Sequence, residues 1–229
     1  MQLAERYRSV KERIAASCRA AGRLPDDVEL VVVTKNHPAS LVEQLYDLGQ
    51  RQFGENRDQE AGPKTRELAE GGRADAQWHF VGQLQSNKVR TVLAYASCIH
   101  SIDRASLVKE LSKQLVNKDL EITGFIELNL TEDPARGGVE PENLAQLAES
   151  VLQIPQIKLL GVMAVAGLGV DPRVDFEKTL LASEKLREIA PSANQLSMGM
   201  SEDFELAVEM GATHIRVGSA ITGPRPNYA

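Results

Sequence analysis

The chain has 229 residues, of which 42% are hydrophobic and 25% charged, the composition of an ordinary globular protein. A formal net charge of −6 gives no electrostatic case for binding nucleic acid or an anionic membrane. Two cysteines, Cys18 and Cys98, stand far apart in the sequence. They make neither a CxxC nor a metal-ligand spacing, and they read as small buried hydrophobes in a reducing compartment.

The opening, MQLAERYRSVKERI, is charged and helical, unlike the apolar stretch of a secretory signal. The longest apolar run, from Leu159 to Val170, is too short for a membrane span and contains glycines. A cytoplasmic location is therefore expected. Beyond the opening helix, short apolar runs alternate with amphipathic segments. Strands are expected at Glu29–Thr34, Gln52–Gly54, Trp78–Gly82, Cys98–Ser101, Gly124–Leu130, Leu159–Val165, Gln195–Gly199 and Thr213–Gly218. Between them, apolar spacings of three and four predict helices at Ser40–Leu48, Glu55–Glu70, Ser86–Ala96, Arg104–Asn117, Pro141–Gln153, Pro172–Ile189 and Ser201–Gly211.

Eight strands separated by seven helices suit a single-domain (β/α)8 barrel over residues 1–229, with the opening helix packing where an eighth helix would lie. An open doubly wound sheet is the alternative, because a strand count does not prove closure. No domain linker or low-complexity tract interrupts the pattern.

The active sites of such barrels lie at the carboxyl ends of the strands. Alternation along the first strand puts Val31, Val33 and Lys35 on one side, so Lys35 ends an inward row. A solvated lysine is the ordinary reading of such a residue. At a barrel mouth, however, desolvation eases loss of its proton and leaves an amine able to attack an aldehyde. On the last strand His214, Arg216 and Gly218 share a face, which aims Arg216 inward. A buried guanidinium needs an acceptor, either a ligand atom or a carboxylate such as Glu127 on the fifth strand. The loops after strands seven and eight form the recurring phosphate site of this architecture. Here they carry Ser197, Met198, Gly199, Met200 and Ser201, then Gly218 and Ser219. Glycine permits close backbone approach, and serine supplies a hydroxyl. The four histidines, His37, His79, His100 and His214, follow no metal motif, and His79 reads as a structural group or a ring contact. Gly167-Leu-Gly169 lacks the third glycine of a dinucleotide turn.

Four segments carry a resemblance: TKNHP at 34–38, FGEN at 53–56, WHFVGQLQSNK at 78–88, and the run from Leu196 to Gly223. Together, in this order, they resemble the pyridoxal 5′-phosphate (PLP) homeostasis family, also called proline synthetase co-transcribed proteins, end to end. The resemblance implies an alanine racemase-like barrel that binds PLP with no established enzymatic activity. It makes Lys35 the Schiff-base lysine, sets Asn56 and His79 along the ring, and brings Arg216 to the pyridine nitrogen. Ser201, Gly218 and Ser219 would hold the phosphate, with Ser197, Met198 and Met200 as further contacts. Gln83 stands where many relatives have proline, and Arg136 lies near a position usually held by lysine.

An arginine beside the pyridine nitrogen disfavours its protonation and weakens PLP as an electron sink. Racemisation also needs an acid or base on the opposite face, which the racemases take from a second domain. Tyr7, Tyr46 and Tyr95 fall on predicted helices and Tyr228 in the tail, so none supplies it. The expected function is intracellular PLP and amino-acid homeostasis by a monomer, with PLP-dependent apo-enzymes as recipients. A PLP enzyme with weak racemase activity is the alternative. The barrel and lysine without the resemblance would also suit a Schiff-base aldolase.

Overall fold

The computed structural model describes residues 2–224 apart from 132, 134, 135 and 168. Eight parallel strands close into a barrel in sequence order: β1 (Glu29–Val33), β2 (Gln52–Glu55), β3 (Gln77–Phe80), β4 (Ala96–Ile102), β5 (Ile122–Glu127), β6 (Ile157–Met163), β7 (Gln195–Ser197) and β8 (His214–Val217). Closure is made by β1 and β8, with Leu30 opposite Ile215 and Val31 opposite Arg216. The open-sheet alternative is thereby excluded.

The helices are α1 (Leu3–Ala20), α2 (Ala39–Asp47), α3 (Asp58–Glu70), α4 (Val89–Val92), α5 (Ala105–Leu115), α6 (Leu144–Leu152), α7 (Pro172–Ile189), α8 (Phe204–Glu209) and α9 (Ser219–Thr222). Outward strand residues such as Leu30, Val32, Phe53, Trp78 and Ile215 meet the helices in one continuous core. Burying these side chains between the two layers supplies the main drive to fold, about 1.5–3 kcal/mol for each large apolar group.

As the sequence suggests, α1 fills the gap beside β8. Arg13 grips Glu205 of α8 through two bonds of 2.8 Å. Arg6 donates to the Ile221 carbonyl at 2.7 Å, and Arg23 to that of Val208 at 2.7 Å. Tyr7 donates to Gln50 at 3.0 Å, and Gln50 in turn donates to the Leu30 carbonyl of β1 at 2.7 Å. The opening helix therefore ties the first strand to the last elements of the chain.

Several boundaries differ from expectation. Glu55 ends β2 instead of opening a helix, because it pairs with Phe80 across the sheet and turns its carboxylate outward onto α3. The expected helix at 86–96 breaks into a tight turn at Ser86–Lys88, the single turn of α4, and a turn holding Tyr95. The last long helix begins at Phe204, three residues later than the Ser201 start, with Asp203 at its N-cap. Asp203 accepts a hydrogen bond from Met200 N at 2.5 Å, which folds 200–203 into a turn and frees Ser201 from a capping role. Strands β5 and β6 each begin and end earlier than expected, since apolar loop residues extended the apparent runs beyond the ladder.

Candidate functional site

The mouth is built first around Lys35, which is half-buried in the turn after β1. Before it, Thr34 N donates to the Gly54 carbonyl at 2.9 Å, continuing the β1–β2 ladder by one residue. After it, Asn36 adopts a left-handed conformation with φ of 62°. Such a backbone is uncommon outside glycine, and asparagine tolerates it better than most residues. Both flanks are held by α3. Glu60 accepts from Asn36 N at 2.8 Å, and Lys64 Nζ donates to the Thr34 carbonyl at 3.0 Å.

Lys64 also pairs with Glu55 at 2.5 Å, and Thr34 Oγ1 donates to the same carboxylate oxygen at 2.6 Å. Both members of the pair are buried, Glu55 at 0% exposure and Lys64 at 6%. Burial raises the Glu55 pKa, and Lys64 and Thr34 oppose that rise. Burying two charges is costly unless further hydrogen bonds satisfy them. Here those bonds anchor the turn that carries Lys35.

Asn56 follows β2 at the adjacent edge of the mouth. Gly82 packs so closely on it that an added Cβ would lie 2.4 Å from the Asn56 carbonyl. Only glycine permits this contact, which fixes Asn56 from the β3 side. The Asn56 Oδ1 atom is enclosed and has no protein hydrogen-bond partner. A buried orphan acceptor of this kind costs free energy unless a ligand or water meets it.

Below the mouth, the barrel interior is polar on one side. Arg216 is 5% exposed and donates to Ser197 Oγ at 2.6 Å and to the Ala164 carbonyl at 2.9 Å. The ion pair with Glu127 allowed by strand alternation is not among those of the described residues. Glu127 instead keeps Oε2 enclosed without a hydrogen bond. Burial, reinforced by the nearby Asp103 charge, pushes its pKa up to about 7, with Arg216 and Arg136 acting against the rise. The Arg216 guanidinium is itself brought down to about 10 by burial. It stays charged at neutral pH while two of its donors serve neutral acceptors, so other N–H groups remain for a ligand.

Ser197 Oγ also meets His100 Nδ1 at 2.8 Å; His100 Nε2 meets His79 Nδ1 at 2.8 Å; and His79 Nε2 meets Gln52 Oε1 at 2.8 Å. Burial lowers all these imidazole pKa values, His79 to about 3 and neighbouring His214 to about 4. His79, Cys98 and His100 bring three possible metal-ligating atoms within 4.8 Å of one another. Their chemistry does not suit a metal, because the two imidazoles spend their facing nitrogens on each other. Burial also pushes the Cys98 thiol up to about 12, keeping it protonated.

At the other corner of the mouth, Ser201 Oγ accepts from Gly218 N at 3.2 Å and from Ala220 N at 3.3 Å. A hydroxyl that accepts twice retains its own proton for donation. Ser219 is exposed beside it, and Met200 is 37% exposed at the rim. Met198 and Ser197 lie deeper. Met198 is fully buried in the core between strands and helices, and Ser197 is sealed within the barrel against His100 and Arg216.

A cleft of about 460 Å³ adjoins the mouth at Asn56, Glu60, Phe80, Gln83 and Lys88. Another of about 410 Å³ opens at the opposite end of the barrel, where Gln52 joins Tyr7, Glu29 and Gln50. Arg136 donates to the Val165 and Ala166 carbonyls at 3.1 Å each, bridging the loops after β5 and β6. Residues 134 and 135 of the segment Asp133–Val139 lie outside the described residues, as does Tyr228.

Sequence reasoning did not single out Gln52, Glu60, Lys64 or His100. Alternation puts His100 in register with inward Cys98, and Gln52 with Gly54. Lys64 shares its helix face with buried Ala61 and Leu68. Those signals were present, but a polar residue on an apolar face carries meaning only once its partner is known.

The chain is similar to known proteins both in sequence and in fold. Residues 8–226 match the model of the alanine racemase N-terminal domain. A pyridoxal phosphate homeostasis protein of Aquifex aeolicus is 38% identical, over 98% of this chain and 99% of its own length. The chain belongs to the family of pyridoxal phosphate homeostasis proteins. PipY of Synechococcus elongatus, a structure with PLP bound, superposes with a TM-score of 0.85 at 35% identity, covering 97% of this chain and all of that one. Alanine racemase of Corynebacterium glutamicum shares the fold, with a TM-score of 0.67 at 16% identity, over 96% of this chain and 62% of the racemase. Among the described residues, no helix of this homeostasis protein is long and apolar enough to cross a membrane.

Proposed function

We propose that this protein binds PLP at the carboxyl end of the barrel, as a Schiff base on Lys35, and serves PLP and amino-acid homeostasis. The observation that carries this reading is Arg216, a buried guanidinium tied to neutral acceptors, on the strand that leads into the Gly218–Ser219 corner. The relative with bound PLP and the names of the curated relatives support it. PLP would supply an aldehyde for the lysine and an electron-withdrawing ring.

The chain's own residues suit that group. Asn56 and His79 would flank the ring, and Asn56 brings an acceptor with no other partner. Ser201 would donate its hydroxyl proton to the phosphate beside Gly218 and Ser219, with Met200 at the rim. Met198 would contribute backbone alone, since its side chain is in the core. Ser197 would act through Arg216, which it holds. The charged Arg216 would donate to the pyridine nitrogen and leave it unprotonated, which favours holding the cofactor over turning substrate over. Carriage in the cytoplasm by a monomer, with delivery to PLP-dependent apo-enzymes, follows from this reading.

The test is an absorption spectrum of the purified protein before and after borohydride reduction, with Lys35→Ala alongside. The parent should show a reducible band that the variant lacks, while the variant keeps its fold. A reducible band that persists in Lys35→Ala would place the Schiff base elsewhere. Turnover of an amino-acid panel that disappears in Lys35→Ala would favour a racemase-like enzyme instead.

A further inference from the structure

The polar side of the barrel interior forms a chain of hydrogen bonds whose direction can be worked out. It runs from Arg216 through Ser197, His100 and His79 to Gln52, with successive separations of 2.6, 2.8, 2.8 and 2.8 Å. Arginine has no acceptor, so at its end of the chain Ser197 must receive. The Ser197 proton then goes to the remaining neighbour, His100 Nδ1. A neutral imidazole that accepts at one nitrogen donates at the other, so His100 Nε2 carries the proton and gives it to His79 Nδ1. By the same rule His79 Nε2 carries a proton, which requires an acceptor on residue 52. Gln52 meets that requirement with its amide oxygen.

With the amide turned the other way, both histidines would donate toward Ser197. Its oxygen would then receive from Arg216 and His100 together, and its own proton would have no neighbour in the chain. Hydrogen-bond satisfaction therefore selects one arrangement. Every link points from the mouth toward the floor, and both histidines are neutral with the proton on Nε2. The strong lowering of both imidazole pKa values agrees with two neutral rings.

We propose that Gln52 is a positioning residue for the cofactor: it supplies the terminal acceptor that both histidine tautomers require, and so helps to hold Ser197 and Arg216 in place beneath the mouth. It touches neither the mouth nor Arg216. Its side chain lies at the far end of the barrel, where it also lines the lower cleft. A chain of aligned donors polarises each link in turn, so the acceptor at its end affects the donor at its start. This inference rests on the reading that places PLP beside Arg216, but its first prediction needs no cofactor.

Replacing Gln52 with glutamate would put a negative charge against His79 Nε2–H. That favours a second proton on His79, whose Nδ1 would then donate toward His100 and reverse the remaining links. Ser197 would receive from both sides, weakening its hold on Arg216. Gln52→Met would remove the acceptor at similar length without adding charge.

The experiment has two arms. In the first, long-range proton–nitrogen NMR correlations on histidine-labelled apo-protein at neutral pH should show His79 and His100 as neutral Nε2–H tautomers. Either ring found protonated on Nδ1, alone or in addition, would overturn the chain. In the second, Gln52→Glu and Gln52→Met should alter those histidine signals, shift the absorption band of the PLP-loaded protein and weaken PLP about tenfold, the scale of one hydrogen bond. Variants that change the histidine signals but keep the parental band and affinity would overturn the positioning role. If the Lys35 reading itself fails, the reducible band persists in Lys35→Ala while the tautomers remain as derived.

Discussion

The two halves of the barrel interior obey different rules. Toward β5 and β6 the inner face is mainly apolar below Glu127: Phe125, Leu160 and Met163 form a small cluster with Cys98, separate from the main core. Toward β2, β3, β7 and β8 it holds Gln52, His79, Ser197, His214 and Arg216, with His100 of β4 completing the set. Phe125 is the boundary, with ring centroids 4.7 Å from His100 and 5.0 Å from His214. The apolar half packs by volume and best tolerates swaps that conserve it. The polar half stays stable only while each donor meets an acceptor, so it specifies a single geometry. That geometry ends at the mouth, where Arg216 stands.

The largest expected effect comes from breaking the boundary. Phe125→Ala should lower stability by about 3–5 kcal/mol, the usual cost of deleting a buried aromatic ring. Denaturant unfolding measures this, and PLP affinity of the folded variant should stay near the parent's. An equal loss of affinity would mean that the apolar half shapes the site too.

A rim substitution should do the reverse. Ser201→Ala should weaken PLP by roughly 1.5–3 kcal/mol, the worth of a charge-assisted hydrogen bond, and leave pyridoxal nearly unaffected. Titrating both ligands separates a phosphate contact from a general loss of structure.

Ser197→Ala tests the junction. It deprives Arg216 of an acceptor and His100 of a donor, so it should cost about 1–3 kcal/mol of stability and weaken PLP as well. A change in stability alone would detach the polar half from the mouth.

A last test is acidity, because the buried groups His214 and Glu127 both titrate in an accessible range. His214 is held at about 4 when folded and lies near 6.5 when unfolded. Below 6.5 the unfolded chain takes up a proton that the folded one refuses. The contribution is complete above pH 6.5 and is lost as pH falls toward about 4. Over that window His214→Gln should flatten the dependence of stability on pH by about 1.4 kcal/mol per pH unit. Glu127, raised to about 7, has the opposite sign: its contribution is present below about 4.5 and is lost as pH rises through 7. Unfolding curves across this range, compared with the parent, check both signs.

Much of the apolar architecture was legible in the sequence. Val31 and Val33 alternate with outward Leu30 and Val32, and eight such runs separated by helical spacing suited the closed barrel. Lys35 and Arg216 stood out because charge at an inward position breaks that pattern. The polar connections were harder to read. His100 and Ser197 are far apart in the chain and meet through the curvature of a closed sheet. Lys64 does not stand out on its helix by itself, and its role shows only where Thr34 and Glu55 lie against it. Pairings of this kind depend on shear and helix orientation, which periodicity does not encode. The turn at 200–203 misled for a local reason: Ser201 has the chemistry of a cap, but Asp203 takes that place.

The grip of α1 on both ends of the barrel has a consequence for the order of assembly. On the ribosome this helix emerges long before α8 and α9, against which it packs through Arg13 and Arg6. The β1–β8 pairing that closes the ring must wait equally long. Until then the stripe of Tyr7, Val10, Ile14 and Cys18 has no final partner surface, and the nascent chain carries it exposed or loosely collapsed. Contacts between the two ends of a chain are the slowest to form, since the whole intervening loop loses entropy before they give any return. The barrel therefore cannot close before β8 has been made, and α1 cannot complete its packing before α8 and α9 are present.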